Sequence, residues 1–112
     1  MPFSAWYRCI RGCPGRYDVF SVIYRCPTCG GLLEVAHDEA ALAAARTGPE
    51  WRALFEQRSE LRSRIGHAPH AQRHTSGVWA KQEWVLPQLA PENIVSLGEG
   101  NTPLIPASRL GT

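Results

Sequence analysis

Cys9-Ile10-Arg11-Gly12-Cys13 and, after a twelve-residue spacer, Cys26-Pro27-Thr28-Cys29-Gly30-Gly31 contain every cysteine of the chain. Two close cysteine pairs suit Zn²⁺, which takes four ligands tetrahedrally and can be gripped between two opposed turns. In the second turn the sulfurs are three residues apart. The glycines that follow allow backbone N–H groups to approach the thiolates without a Cβ clash. The first turn is one residue wider, and Pro14 stands where a glycine is expected. Around the pairs, Tyr17–Tyr24 is rich in β-branched and aromatic residues and reads as a strand, with Leu32–Val35 a second and Ala5–Arg8 a third. These residues predict a small β zinc ribbon over 1–36, in which Cys9, Cys13, Cys26 and Cys29 hold one structural ion. Four thiolates leave no open position for a catalytic water.

Physical need points the same way. A ribbon of this length falls below the roughly 40 residues at which an apolar core usually suffices, so a cross-link is required. Arg8, Arg11 and Arg25 lie beside the ligands in sequence and suit the negative charge that four thiolates keep around a dication. The alternatives are two disulfides or unliganded buried thiols. The chain has no apolar run near the ~20 residues needed to span a bilayer, and Met1–Trp6 lacks the basic start and hydrophobic stretch of a signal peptide. The default compartment is the cytosol, where thiols stay reduced and paired cysteines read as metal ligands. The 112 residues, 44% hydrophobic and 20% charged, are ordinary for a soluble domain. A net charge of +2 does not by itself imply a nucleic-acid or membrane partner.

Residues 37–76 read as a helical connector and loop. Asp38 is placed to cap a helix over Glu39–Arg46, and Thr47-Gly48-Pro49 breaks it. Pro49 suits the first turn of a second helix, on which Trp51, Leu54, Phe55, Leu61 and Ile65 recur at helical spacing. Glu60 and Arg64 are a favourable i,i+4 pair, and Gly66 is the expected stop. The polar stretch after it, broken by Pro69, reads as a surface loop. Beyond it, Trp79–Trp84 is a short helical piece closed by Pro87 and Pro91, Ile94–Leu97 a short strand, and Gly98-Glu99-Gly100 a turn.

Val95-Ser96-Leu97-Gly98-Glu99-Gly100-Asn101-Thr102-Pro103-Leu104 resembles the segment that opens the catalytic domain of threonine synthases. Gly77-Val78-Trp79, with Glu83 and Leu86-Pro87, is similar to the motif just upstream in that family, and many members also carry an N-terminal Cys-Pro-x-Cys-Gly-Gly-Leu-Leu ribbon. Cysteate synthases are a related alternative. The resemblance implies that residues 77–112 open an α/β domain of the pyridoxal-phosphate (PLP) fold type II class, in a chain that is α+β overall. It further implies a parent enzyme that converts O-phosphohomoserine and water into threonine and phosphate. Its partners would be the rest of its own catalytic domain and a small amino-acid substrate, with a homo-oligomer left open.

The residues also limit that expectation. PLP chemistry needs a lysine for the Schiff base, which in this family sits in a Ser-Phe-Lys-Asp context beyond Asn-Thr-Pro-Leu. Lys81 is the only lysine here and lies upstream, in a different motif, where a solvated helix position is expected. The chain is therefore expected to be a piece of a longer polypeptide, with its catalytic and cofactor-binding residues elsewhere. Thr102-Pro103 reads as an N-cap followed by a helix-starting proline.

Three other readings compete. Arg8, Arg11, Arg16 and Arg25, with Trp6, Tyr7, Tyr17 and Tyr24, offer the cations and stacking rings of a nucleic-acid surface, although a small sheet needs its aromatics for core. The Trp51–Ile65 face would suit a docking module, but such faces more often pack on their own protein. His67, His70 and His74 suggest a second metal, yet offer no clear fourth ligand and read as solvent-exposed.

Overall fold

Trp6, Tyr7 and Val35 put strand-forming side chains into the two segments that pair most extensively. In the computed structural model, which describes residues 3–65, 74–100, 102 and 104–110, these segments become β1 (Ala5–Cys9) and β3 (Leu33–His37). They run antiparallel from Ala5 opposite His37 to Cys9 opposite Leu33. A two-residue strand, β2 (Tyr17–Asp18), lies on the other side of β1, so the sheet order is β2-β1-β3. Arg8 and Glu34, opposite one another, form an exposed ion pair at 2.7 Å.

The strand expected over Tyr17–Tyr24 stops at Asp18. The Asp18 carboxylate accepts the Phe20 N–H at 2.8 Å and its carbonyl accepts the Ser21 N–H at 3.0 Å, which bends the chain into a turn. A local side-chain-to-backbone bond outcompetes strand propensity. Phe20, Val22 and Tyr24 are consequently exposed.

The first helix starts where its cap predicts, and the second begins at Gly48, within the expected Thr47-Gly48-Pro49 break. In α1 (Glu39–Ala45) the Asp38 carboxylate accepts the Ala41 N–H at 3.0 Å. In α2 (Gly48–Ile65) Thr47 and Glu50 bond reciprocally, side chain to backbone, as a capping box. The inward stripe of α2 is Trp51, Leu54, Phe55 and Arg58. Leu61, expected on it, is instead 45% exposed. Trp51 is the hub: it meets Phe3, Phe55 and Trp84 at ring separations of 5.6, 5.7 and 5.9 Å, and its indole N–H donates to the Leu42 carbonyl. One aromatic cluster thus joins Phe3, two residues before β1, to α1, α2 and the C-terminal part.

In that part, the Ser76 hydroxyl accepts the Trp79 N–H at 2.9 Å where a 3₁₀ turn (Trp79–Lys81) begins and runs into α3 (Gln82–Val85). Pro87, fully buried, and the 3₁₀ turn Pro91–Asn93 follow. Glu83 of α3 meets Arg58 of α2 in a two-pronged ion pair at 2.7 and 2.8 Å, and Arg58 also donates to the Ala80 carbonyl. Gln88 bonds both backbone groups of Ala5, locking β1 to this region. Ile94–Leu97 does not form the expected strand. Val95 and Leu97 point to solvent while the Ser96 hydroxyl bonds that of Thr75, so the segment is held by side chains. The Gly77 N–H donates to the Glu99 carbonyl, and a Cβ on Gly100 (φ +84°) would lie 2.9 Å from Gly77 Cα. Only glycine serves there.

No helix follows Thr102 among the described residues. Leu104, Ile105 and Leu110 are exposed, and a short helix without packing does not hold. Gly66, His67, His70, Asn101, Pro103 and the side chains of Arg64 and Ile65 lie outside the described residues.

Candidate metal centre

β1 carries Cys9 to its end, and the chain then turns back at Gly12, whose N–H donates to the Cys9 carbonyl at 3.2 Å and whose φ is +86°. The glycine missing after Cys13 is thus supplied before it, inside the wider turn. In the second turn the Gly30 N–H (φ +69°) donates to the Cys26 carbonyl, and the Cys26 N–H to the Gly31 carbonyl, both at 2.9 Å. The Ile10 N–H donates to the Leu32 carbonyl at 3.1 Å and ties the turns together.

All four sequence-predicted ligands converge. Their sulfurs lie within 4.8 Å of one another, and Cys9 Sγ is 3.5 Å from Cys29 Sγ. A tetrahedral ion with Zn–S bonds of about 2.3 Å would set its sulfurs roughly 3.8 Å apart, so the cluster has the required size. None is in a disulfide; all four cysteines are free. Among the described residues this is the one cluster of three or more ligand side chains that could hold a metal ion.

The backbone prepares these sulfurs for negative charge. The Arg11 N–H donates to Cys9 Sγ at 3.3 Å and lowers that thiol to about 6, helped by the Cys13 N–H and opposed by burial. Cys26 is likewise lowered, first by the Cys29 N–H and then by that of Thr28, against its burial. The Gly31 N–H donates to Cys29 Sγ at 3.4 Å, as the glycine pair predicts. Cys13 goes the other way: its bonds to the Cys29 and Cys9 sulfurs, with burial and the charge of Cys26, push it up to about 12. The phenol of Tyr17 is also raised, by burial first and then by the thiolates. Amides stabilise part of the charge, but four thiolates cannot ionise together unaided. A central dication would supply what is missing, and an all-sulfur donor set suits Zn²⁺.

PLP does not fit the residues present. Lys81 is exposed on a 3₁₀ turn. The expected cationic and aromatic groups of a nucleic-acid surface are engaged internally in several cases: Arg8 pairs with Glu34, the Arg16 guanidinium sits 4.0 Å over the Trp6 ring, and Arg25 donates to the Gly30 carbonyl. His74 is half-buried, apart from the cysteines. No helix among the described residues is long and apolar enough to cross a membrane.

Sequence reasoning missed the Arg58–Glu83 pair and the packing of Gly77 on Gly100. The latter brings together the two motifs of the C-terminal part, and its signal was the glycine in each.

Comparison with known proteins adds the family context. Over 95 residues, 85% of its length, the chain is 42% identical to a protein of Arabidopsis thaliana named threonine synthase 2, chloroplastic. Over 103 residues, 92% of its length, it is 35% identical to a Methanocaldococcus jannaschii protein named threonine synthase. The matched stretch spans 16% of the first relative and 20% of the second. No family model matches the chain.

Proposed function

We propose that this chain, homologous to threonine synthases over most of its length, is a zinc-stapled N-terminal portion of an enzyme of that kind. In this reading Cys9, Cys13, Cys26 and Cys29 hold one Zn²⁺ whose task is structural. The whole protein would convert O-phosphohomoserine and water into threonine and phosphate with PLP bound outside these residues. The identity to two proteins of that name, over nearly the whole chain, carries the reading. The ribbon then serves as a positioning module: Ala5–Gln88 and the Phe3–Trp51 contact join it to the segment that resembles the start of a catalytic domain. The ribbon takes no part in the chemistry, because four sulfur ligands leave no site for substrate or water.

Two measurements test this. Elemental analysis of the purified chain should give one zinc per molecule; much less removes the structural ion. The polypeptide encoded by the complete reading frame should release phosphate from O-phosphohomoserine and form threonine in a PLP-dependent manner. Absence of threonine with intact PLP binding would reject the activity and leave the metal reading standing.

A further inference from the structure

The four sulfurs differ in access. Cys29 is exposed, Cys13 is half-buried, and Cys9 and Cys26 are only 4% and 2% exposed. Cys29 Sγ is in direct contact with Cys9 Sγ, 3.5 Å away across the two turns. The Arg11 side chain lies beside it: an added Cβ on Gly31 would meet Cys29 Sγ at 3.1 Å and Arg11 Nε at 3.3 Å. An open sulfur with a buried sulfur at its back and a cation at its side is the arrangement of a reactive thiol and its resolving partner.

We propose that Cys29 and Cys9 are a peroxide-sensitive pair whose oxidation to a disulfide dismantles the metal centre. The loss of metal, though not the pairing itself, rests on the zinc reading above. Cys29 thiolate attacks one oxygen of hydrogen peroxide; an S–O bond forms, the O–O bond breaks, and hydroxide leaves beside Arg11. The Cys9 thiolate then attacks the sulfenic sulfur; an S–S bond forms, the S–O bond breaks, and a second hydroxide leaves. The two sulfurs lose two electrons in all, and the peroxide gains them. Cys13 and Cys26 remain as two ligands, too few for a structural ion.

The pairing follows the sulfur contact between the two turns. Cys9 ends β1 and faces Cys29 from the other turn.

The test treats the zinc-loaded full chain with hydrogen peroxide. Released zinc is followed with a chromogenic indicator, and disulfides are mapped by non-reducing peptide mass spectrometry. One zinc released per disulfide, a dominant Cys9–Cys29 linkage, and recovery with dithiothreitol and added zinc are expected. A dominant linkage of any other pair overturns the proposal. So does Cys29 carried to sulfinic acid with Cys9 free, or thiols unmodified with zinc retained. If the purified chain holds no zinc, the metal reading fails, and mapping of the metal-free chain still decides the pair.

Discussion

At Cys13 the four sulfurs meet their electrostatic limit. Its thiol is pushed up to about 12 by hydrogen bonds to Cys29 and Cys9, whereas Cys9, bonded by the Arg11 N–H, is lowered to about 6. At neutral pH the metal-free cluster therefore keeps at least one proton among its coupled sulfurs, and metal binding must expel it. The sign follows: higher pH favours binding. Apparent zinc affinity should fall at least tenfold for each unit that pH drops between 8 and 7, measured by competition with a chromogenic chelator. A flat profile would contradict the cluster's protonation. The ligands themselves were legible because spacing encodes convergence. The role of Gly12 was not, since a wider turn can place its left-handed residue before or after the second cysteine, and only the backbone path decides.

Among the elements, local signals were readable and competing ones were not. Asp38 marks the start of α1 through a bond made within three residues, as the sequence says, whereas the Thr47–Glu50 capping box that opens α2 lies in a stretch that reads only as a break. The same logic run at Asp18 ends a strand that composition favours. Ile94–Leu97 has strand residues but no partner strand, which no single segment reveals. The Arg58–Glu83 pair joins α2 to α3 across 25 residues and was likewise invisible. With side chains only 14% and 10% exposed, it is costly to break. Arg58→Ala should destabilise by about 3 kcal/mol, because Glu83 would be left buried and unpaired. Burial pushes the Glu83 carboxyl up, but the Arg58 hydrogen bonds and charge outweigh it and leave it below the usual carboxylate range. A depressed native value means that its stabilisation is present above about pH 4.3, the unfolded value, and lost as pH falls through the native one. Glu83→Gln should therefore lower the melting temperature at pH 7, and the gap to wild type should narrow as pH falls below about 4.3. A gap that stays constant through the whole acid range would show that the loss is not electrostatic.

Across the whole molecule the apolar core is unevenly distributed. Among the described residues the buried hydrophobic ones are Phe3, Ala5, Cys9, Cys26, Ala36, Trp51 and Ala80, so between Ile10 and Leu32 the one such residue is a cysteine. Phe20, Val22, Tyr24 and Leu32, which would build a core there, are exposed. Nothing apolar holds the two turns closed; a cation bridging the sulfurs would. The other half has the Trp51 cluster, capped helices and the Arg58–Glu83 pair, none of which involves the cysteines. Removing zinc with a chelator under reducing conditions should accordingly unfold one part of the chain and spare the other. In hydrogen exchange, the amides of Gly12, Cys26, Gly30 and Gly31 should lose protection, while those in the interior of α2 keep theirs. The Cys9 end of β1 should fray, and its Ala5 end, bonded to Gln88, should persist. Protection at Cys26 and Gly30 that survives chelation would mean that the turns close without an ion, and the structural role assigned to the four sulfurs would fall with it.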